Sequence, residues 1–182
     1  MIYIVTGLMR TGTSLMMQVL REAGIPPHFS KAYERRGKGG RLRNVCFLET
    51  QQSIRGDISA VPDGSCVKVF LNMMHKIALD PEKHKVIAMW RPTVDRLRST
   101  RSGLPPAAWE NYQKKCTHAN TEVESCYSDL LKQFPSRLIV NFNDLIDSPE
   151  VVLSSVVDYI ELPQTDGMLA VINPKNRHYK SE

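Results

Sequence analysis

Two hydrophobic rhythms alternate along the chain. Ile2–Thr6 (IYIVT), Cys66–Leu71, Lys85–Trp90 and Leu138–Asn141 are short, nearly unbroken apolar runs. Strands buried on both faces read this way, so the runs predict a parallel sheet. Between them apolar residues recur every three to four positions. Thr13–Ala23 predicts a helix with Leu15, Met16, Val19, Leu20 and Ala23 on one face and Gly24 closing it. Pro92 suits the first turn of a second helix running to about Ser102. Ser148-Pro149-Glu150 supplies an N-cap, an N1 proline and a first-turn acid to a third, with Val152, Val156, Tyr159 and Ile160 facing inward. Asn44–Gly56 is weakly helical, Gly103-Leu-Pro-Pro reads as a loop, and Trp109–Phe134 as a polar helix. The alternation predicts an α/β fold, a three-layer α/β/α arrangement around a central parallel sheet.

Composition adds bounds. With 182 residues, 42% hydrophobic and 24% charged, the chain suits a single domain over residues 1–182 and excludes collagen-like, coiled-coil and fully disordered classes. No window reaches the ~20 apolar residues of a membrane helix, and no signal peptide is recognisable, so a cytoplasmic protein with no membrane partner is expected. Cys46, Cys66, Cys116 and Cys126 form no C-x-x-C pair and no zinc spacing with the histidines, so reduced thiols and no metal are expected.

Charge is unevenly placed. The net charge is +5, yet residues 31–43 alone hold six basic residues and one acid, while residues 138–166 contain no Lys or Arg. Pro26-Pro27 and then Gly37, Gly39 and Gly40 make residues 26–44 an expected mobile basic loop. So localised an excess favours a small anionic partner over nucleic acid, although a solvated charge run has the same appearance.

The strongest chemical signal is Gly7-Leu-Met-Arg-Thr-Gly-Thr-Ser14, between the first strand and the first helix. Backbone amides of such a turn, backed by a helix N-terminus, form a concave anion site. The spacing is that of the phosphate loop G-x-x-x-x-G-K-S/T, except that Thr13 replaces the lysine and Arg10 brings the positive charge. A kinase would also want an acid after its third strand, where Arg91 stands. A plain connecting turn is the alternative reading.

Arg10-Thr-Gly-Thr-Ser14 resembles the 5′-phosphosulfate loop of the sulfotransferases, which use 3′-phosphoadenosine 5′-phosphosulfate (PAPS) and share a P-loop-like fold. Arg91-Pro92 with Ser99 eight residues on is similar to the family's second motif. Eight helical residues turn through ~800°, so both side chains can converge on one phosphate. The resemblance implies a small bacterial or phage-type member. Arg10, Thr11, Gly12, Thr13 and Ser14 would take the phosphosulfate, Arg91 and Ser99 the 3′-phosphate, and Arg177 would lie in the C-terminal segment closing over the nucleotide. Lys68 would face the phosphosulfate. Cytosolic members carry a Lys-x-His strand, but here the run is Lys68-Val69-Phe70. The catalytic set is therefore Arg10, Lys68 and Glu49, with His28 and Glu34 as other candidate bases. No metal is implied. The acceptor would be a small-molecule or glycan hydroxyl or amine, anionic if the basic segment meets it. The chain is shorter than the family's usual catalytic domains, which implies trimmed acceptor loops. A non-catalytic nucleotide-binding protein of the same fold is the alternative, and an atypical P-loop kinase a more distant one.

Overall fold

The computed structural model describes residues 1–8, 10–29, 56–101, 134 and 136–172. Four strands are present, β1 (Ile2–Gly7), β2 (Cys66–Phe70), β3 (His84–Trp90) and β4 (Arg137–Asn141), together with helices α1 (Thr13–Glu22), α2 (Thr93–Arg101), α3 (Phe142–Asp147), α4 (Pro149–Ile160) and α5 (Asp166–Ala170). A 3₁₀ helix spans Leu71–Lys76. The strands form one sheet in the order β2-β1-β3-β4, and every pairing is parallel.

Burial explains why the strand runs lack alternation. Val5, Cys66, Ile87, Met89 and Val140 face one side, where α1, α3, α4 and α5 contribute Met16, Leu20, Leu145, Leu153, Ile160 and Met168. Ile4, Val67, Val69, Val86 and Ala88 face the other, against Leu71 and Met74 of the 3₁₀ helix, Val61 and Phe134. Both faces of the sheet are covered, as the expected three-layer α/β arrangement requires.

The elements follow their expected positions within a residue or two. α1 ends at Glu22, one residue early, where Gly24 takes φ 89° and the Thr165 hydroxyl donates to the Glu22 carbonyl at 3.0 Å. Leu71 opens the 3₁₀ turn instead of closing β2. In α4 the buried stripe is Leu153, Val156 and Ile160, while Val152 and Tyr159 are only partly buried. Ser148 occupies the N-cap position without a side-chain capping bond. α3 and α5 are additions to the sequence reading. Asn141 ends β4 and accepts from the Asn143 amide at 3.0 Å, which starts a helix directly off the strand. Most of the expected basic loop (residues 30–44), the weak helix at 44–56 up to residue 55, and the polar helix at 109–134 up to residue 133 lie outside the described residues.

Candidate functional site

β1 lies between β2 and β3, so the chain leaves β1 for one side of the sheet and later crosses to the other. In open parallel sheets the crevice beyond the strand ends at such a reversal is where ligands sit. The Gly7–Ser14 turn occupies that position.

Close approach dictates the glycines of the turn. A Cβ on Gly7 would lie 2.7 Å from the Met89 carbonyl oxygen of β3 and 2.5 Å from Thr11 Oγ1. Gly12 takes φ 91°, and a Cβ there would run into the ring of Phe142. Thr11 is buried and donates through Oγ1 to the Leu8 carbonyl at 2.7 Å, while its amide donates to the same oxygen at 3.3 Å. Its part is therefore to shape the turn from inside. Gly12 accepts from the Leu15 and Met16 amides, which starts α1 and places its positive end beside the turn.

Three cations surround this turn. Arg10 is exposed and holds φ 66°, an uncommon conformation for a side-chain-bearing residue. Lys68 is only 5% exposed and reaches from the middle of β2 to the first turn of α1, where Nζ donates to Ser14 Oγ at 3.2 Å. Its Nζ also lies 5.9 Å from the Phe70 ring centroid. Arg91, 3% exposed at the end of β3, donates through Nη1 to the Arg10 carbonyl at 3.2 Å and stacks 4.2 Å from the Phe142 ring centroid.

α2 continues the same chemistry. Its inward positions Arg96 and Ser99 are polar, and Ser99 is 1% exposed. Arg96 donates to Thr93 Oγ1 at 2.8 Å. Among the described residues the buried charged side chains are Lys68, Arg91 and Arg96, all cationic, and none is a carboxylate. Cations gathered at one end of the sheet raise the local positive potential, which suits an anion. Among the described residues no group of three or more His, Cys, Asp or Glu side chains could hold a metal ion.

Of the residues expected from sequence, Arg10, Thr11, Gly12, Thr13, Ser14, Lys68 and Arg91 meet around one turn, while Ser99 is buried on α2, which begins at Thr93. His28 is not brought to it. The His28 amide donates to the Cys66 carbonyl at the start of β2, whereas Gly7 is level with Phe70 at the strand's far end. Glu34, Glu49 and Arg177 lie outside the described residues. Sequence reasoning missed Phe142, which packs on Gly12 and Arg91, and Asn143, whose Nδ2 donates to Asp95 Oδ2 of α2 at 2.7 Å. The available signal was Asn141 two residues before Asn143, an N-cap pattern directly after a strand.

No protein-family model and no curated protein matches the sequence. Among solved structures, the chain is similar to retinol dehydratase, determined in complex with androsterone and the inactive cofactor PAP. That match has a TM-score of 0.58 and 11% identity, and it covers 94% of this chain and 63% of the other. The chain thus spans less than two thirds of that protein's length, and the likeness is one of fold. Among the described residues no helix is long and apolar enough to cross a membrane.

Proposed function

We propose that this chain binds PAPS at the carboxyl end of its sheet and is a sulfotransferase for a small-molecule or glycan acceptor. The observation that carries the reading is the meeting of Arg10, Lys68 and Arg91 at one glycine turn. The donor set suits a nucleotide with a phosphate at each end. Turn amides and the α1 N-terminus face one anion, and Arg91 with Ser99 supplies a guanidinium and a hydroxyl for a second. The fold shared with a PAP-binding protein supports the same reading.

When bound, the nucleotide supplies the sulfuryl group. The protein's own part is electrostatic. Lys68 Nζ, held beside Ser14 Oγ, and the exposed Arg10 guanidinium counter negative charge developing at the turn. Arg91 and Ser99 orient the nucleotide from its other end. The base is assigned to Glu49, whose carboxylate would take the proton from the acceptor oxygen or nitrogen. Phe70 stands at the strand position where cytosolic sulfotransferases carry a histidine, and this substitution favours a second reading, a nucleotide-binding protein without transfer activity.

Thermal shift tests the binding step. PAP at 100 times its dissociation constant stabilises the fold by ~2.7 kcal/mol, or roughly 5–11 °C for a chain of this size. ATP and AMP at the same concentration give smaller shifts. Equal shifts for all three refute the assignment. Transfer of labelled sulfate to alcohols, phenols, amines and sugars, with Glu49→Gln as control, then separates enzyme from binding protein.

A further inference from the structure

The described site has a component that touches both phosphate-facing parts without carrying charge. Phe142 is 4% exposed at the first position of α3. Its ring fills the space a Gly12 side chain would need and stacks 4.2 Å from the Arg91 guanidinium. Arg91 in turn donates to the Arg10 carbonyl, on the other side of the turn from Gly12. Ring, guanidinium and turn therefore form a closed circuit from Gly12 through Phe142 and Arg91 to Arg10.

The residues beside Phe142 hold it in place. Asn141 caps α3 by accepting from the Asn143 amide at 3.0 Å, and Asn143 ties α3 to Asp95 of α2 at 2.7 Å. The start of α3, and Phe142 with it, is thereby fixed to the end of β4 and to α2. A ring whose centroid lies 4.2 Å from the guanidinium carbon holds that group by cation–π attraction as well as by packing, which an aliphatic side chain would not supply.

We propose that Phe142 is a positioning residue that sets the turn and Arg91 in one mutual geometry, so that the two anion-facing parts recognise a single doubly phosphorylated nucleotide as a unit. The role rests on the nucleotide reading above. It makes the preference for a 3′-phosphate depend on a residue that is itself uncharged. Loosening the ring leaves each anion-facing part chemically intact but mispositioned relative to the other.

The test has a ligand-free arm and a ligand arm. In the ligand-free protein the Arg91 Nε–Hε resonance is recorded by NMR in wild type, Phe142→Tyr, Phe142→Leu and Gly12→Ala. Ring-current displacement is expected in wild type and Phe142→Tyr. It is lost in Phe142→Leu, and also in Gly12→Ala, where the added Cβ pushes the ring off its seat. Leu preserves most of the volume, so Phe142→Leu keeps the test decisive if Gly12→Ala does not fold. An Arg91 resonance at the same place in wild type and Phe142→Leu overturns the proposal, whatever the protein binds.

In the ligand arm, calorimetric titration with PAP and AMP gives the affinity ratio. The ratio is expected to fall at least tenfold in Phe142→Leu and to recover in Phe142→Tyr, with melting temperatures held within a few degrees. A merely structural role would lower the melting temperature and leave the ratio unchanged, and that result also overturns the proposal. A wild-type chain that binds neither nucleotide refutes the nucleotide reading, and with it the recognition role of Phe142. The ligand-free arm then still shows whether the ring couples the turn to Arg91.

Discussion

Arg91→Ala tests whether the end of β3 holds the Gly7–Ser14 turn together. Arg91 holds the Arg10 carbonyl and the Phe142 ring, and both contacts are lost. The bond from Nη1 to the Arg10 carbonyl is charge-assisted and is worth about 1.5–3 kcal/mol. Stacking on Phe142 at 4.2 Å contributes a further ~0.5–2 kcal/mol at a site this buried. Arg10 is left in its φ 66° conformation without the bond that secures its carbonyl. Removing a desolvated cation offsets part of the loss. The net destabilisation is about 2–3 kcal/mol, which for a chain of this length lowers the melting temperature by roughly 4–12 °C. Guanidinium chloride unfolding monitored by circular dichroism gives the free energy directly. Arg91→Lys keeps the charge but loses the planar stack, and is expected to recover less than half of the loss. A loss below ~1 kcal/mol for Arg91→Ala, or full recovery by Lys, refutes the argument that a stacked guanidinium braces the turn. The nucleotide readout is separate: Arg91→Ala removes the preference for PAP over AMP while weak AMP binding persists.

Further outcomes follow from the turn and from the buried core. Gly7→Ala places a methyl 2.7 Å from the Met89 carbonyl oxygen, a backbone atom that cannot turn aside, so a loss of at least ~2 kcal/mol is expected in denaturant titration. Thr11→Val keeps the buried shape but removes the 2.7 Å bond to Leu8, costing about 1 kcal/mol and weakening nucleotide binding by calorimetry. The Cys66 thiol is pushed up to about 12 by burial, so it resists thiol reagents at pH 8 in the native state and reacts on unfolding, as peptide mapping would show. Its raised value also means that stability from this group is fully present below about pH 9 and is lost as pH rises toward 12, a decline that Cys66→Ala should lessen in pH-dependent melting.

Much of the framework was legible in sequence because burial on both faces leaves a plain mark. Ile2–Thr6 and Lys85–Trp90 could be strands of little else than a covered parallel sheet, and Gly7 to Ser14 carried its spacing openly. α3 was not legible. Six residues are too few to show a helical period, and Asn141 marks the end of β4 without showing that a helix starts there. In α4 the inward stripe was centred one residue off, because Val151, Val152 and Leu153 are all apolar and only packing against the sheet selects Leu153.

The site divides in the same way. Local covalent order determined the turn: two glycines at fixed spacing, a strand before and a helix after, with Arg10 carried inside. The eight-residue interval from Arg91 to Ser99 was likewise a property of the chain. That Lys68 reaches Ser14 across 54 residues, that Arg91 braces the Arg10 carbonyl from 81 residues away, and that Phe142 fills the space above Gly12 were decided only by the tertiary structure. The physical reason is that hydrophobic periodicity reports which face of an element is buried. It does not report which strand lies beside which, and here the order β2-β1-β3-β4 brings three distant segments to the end of β1.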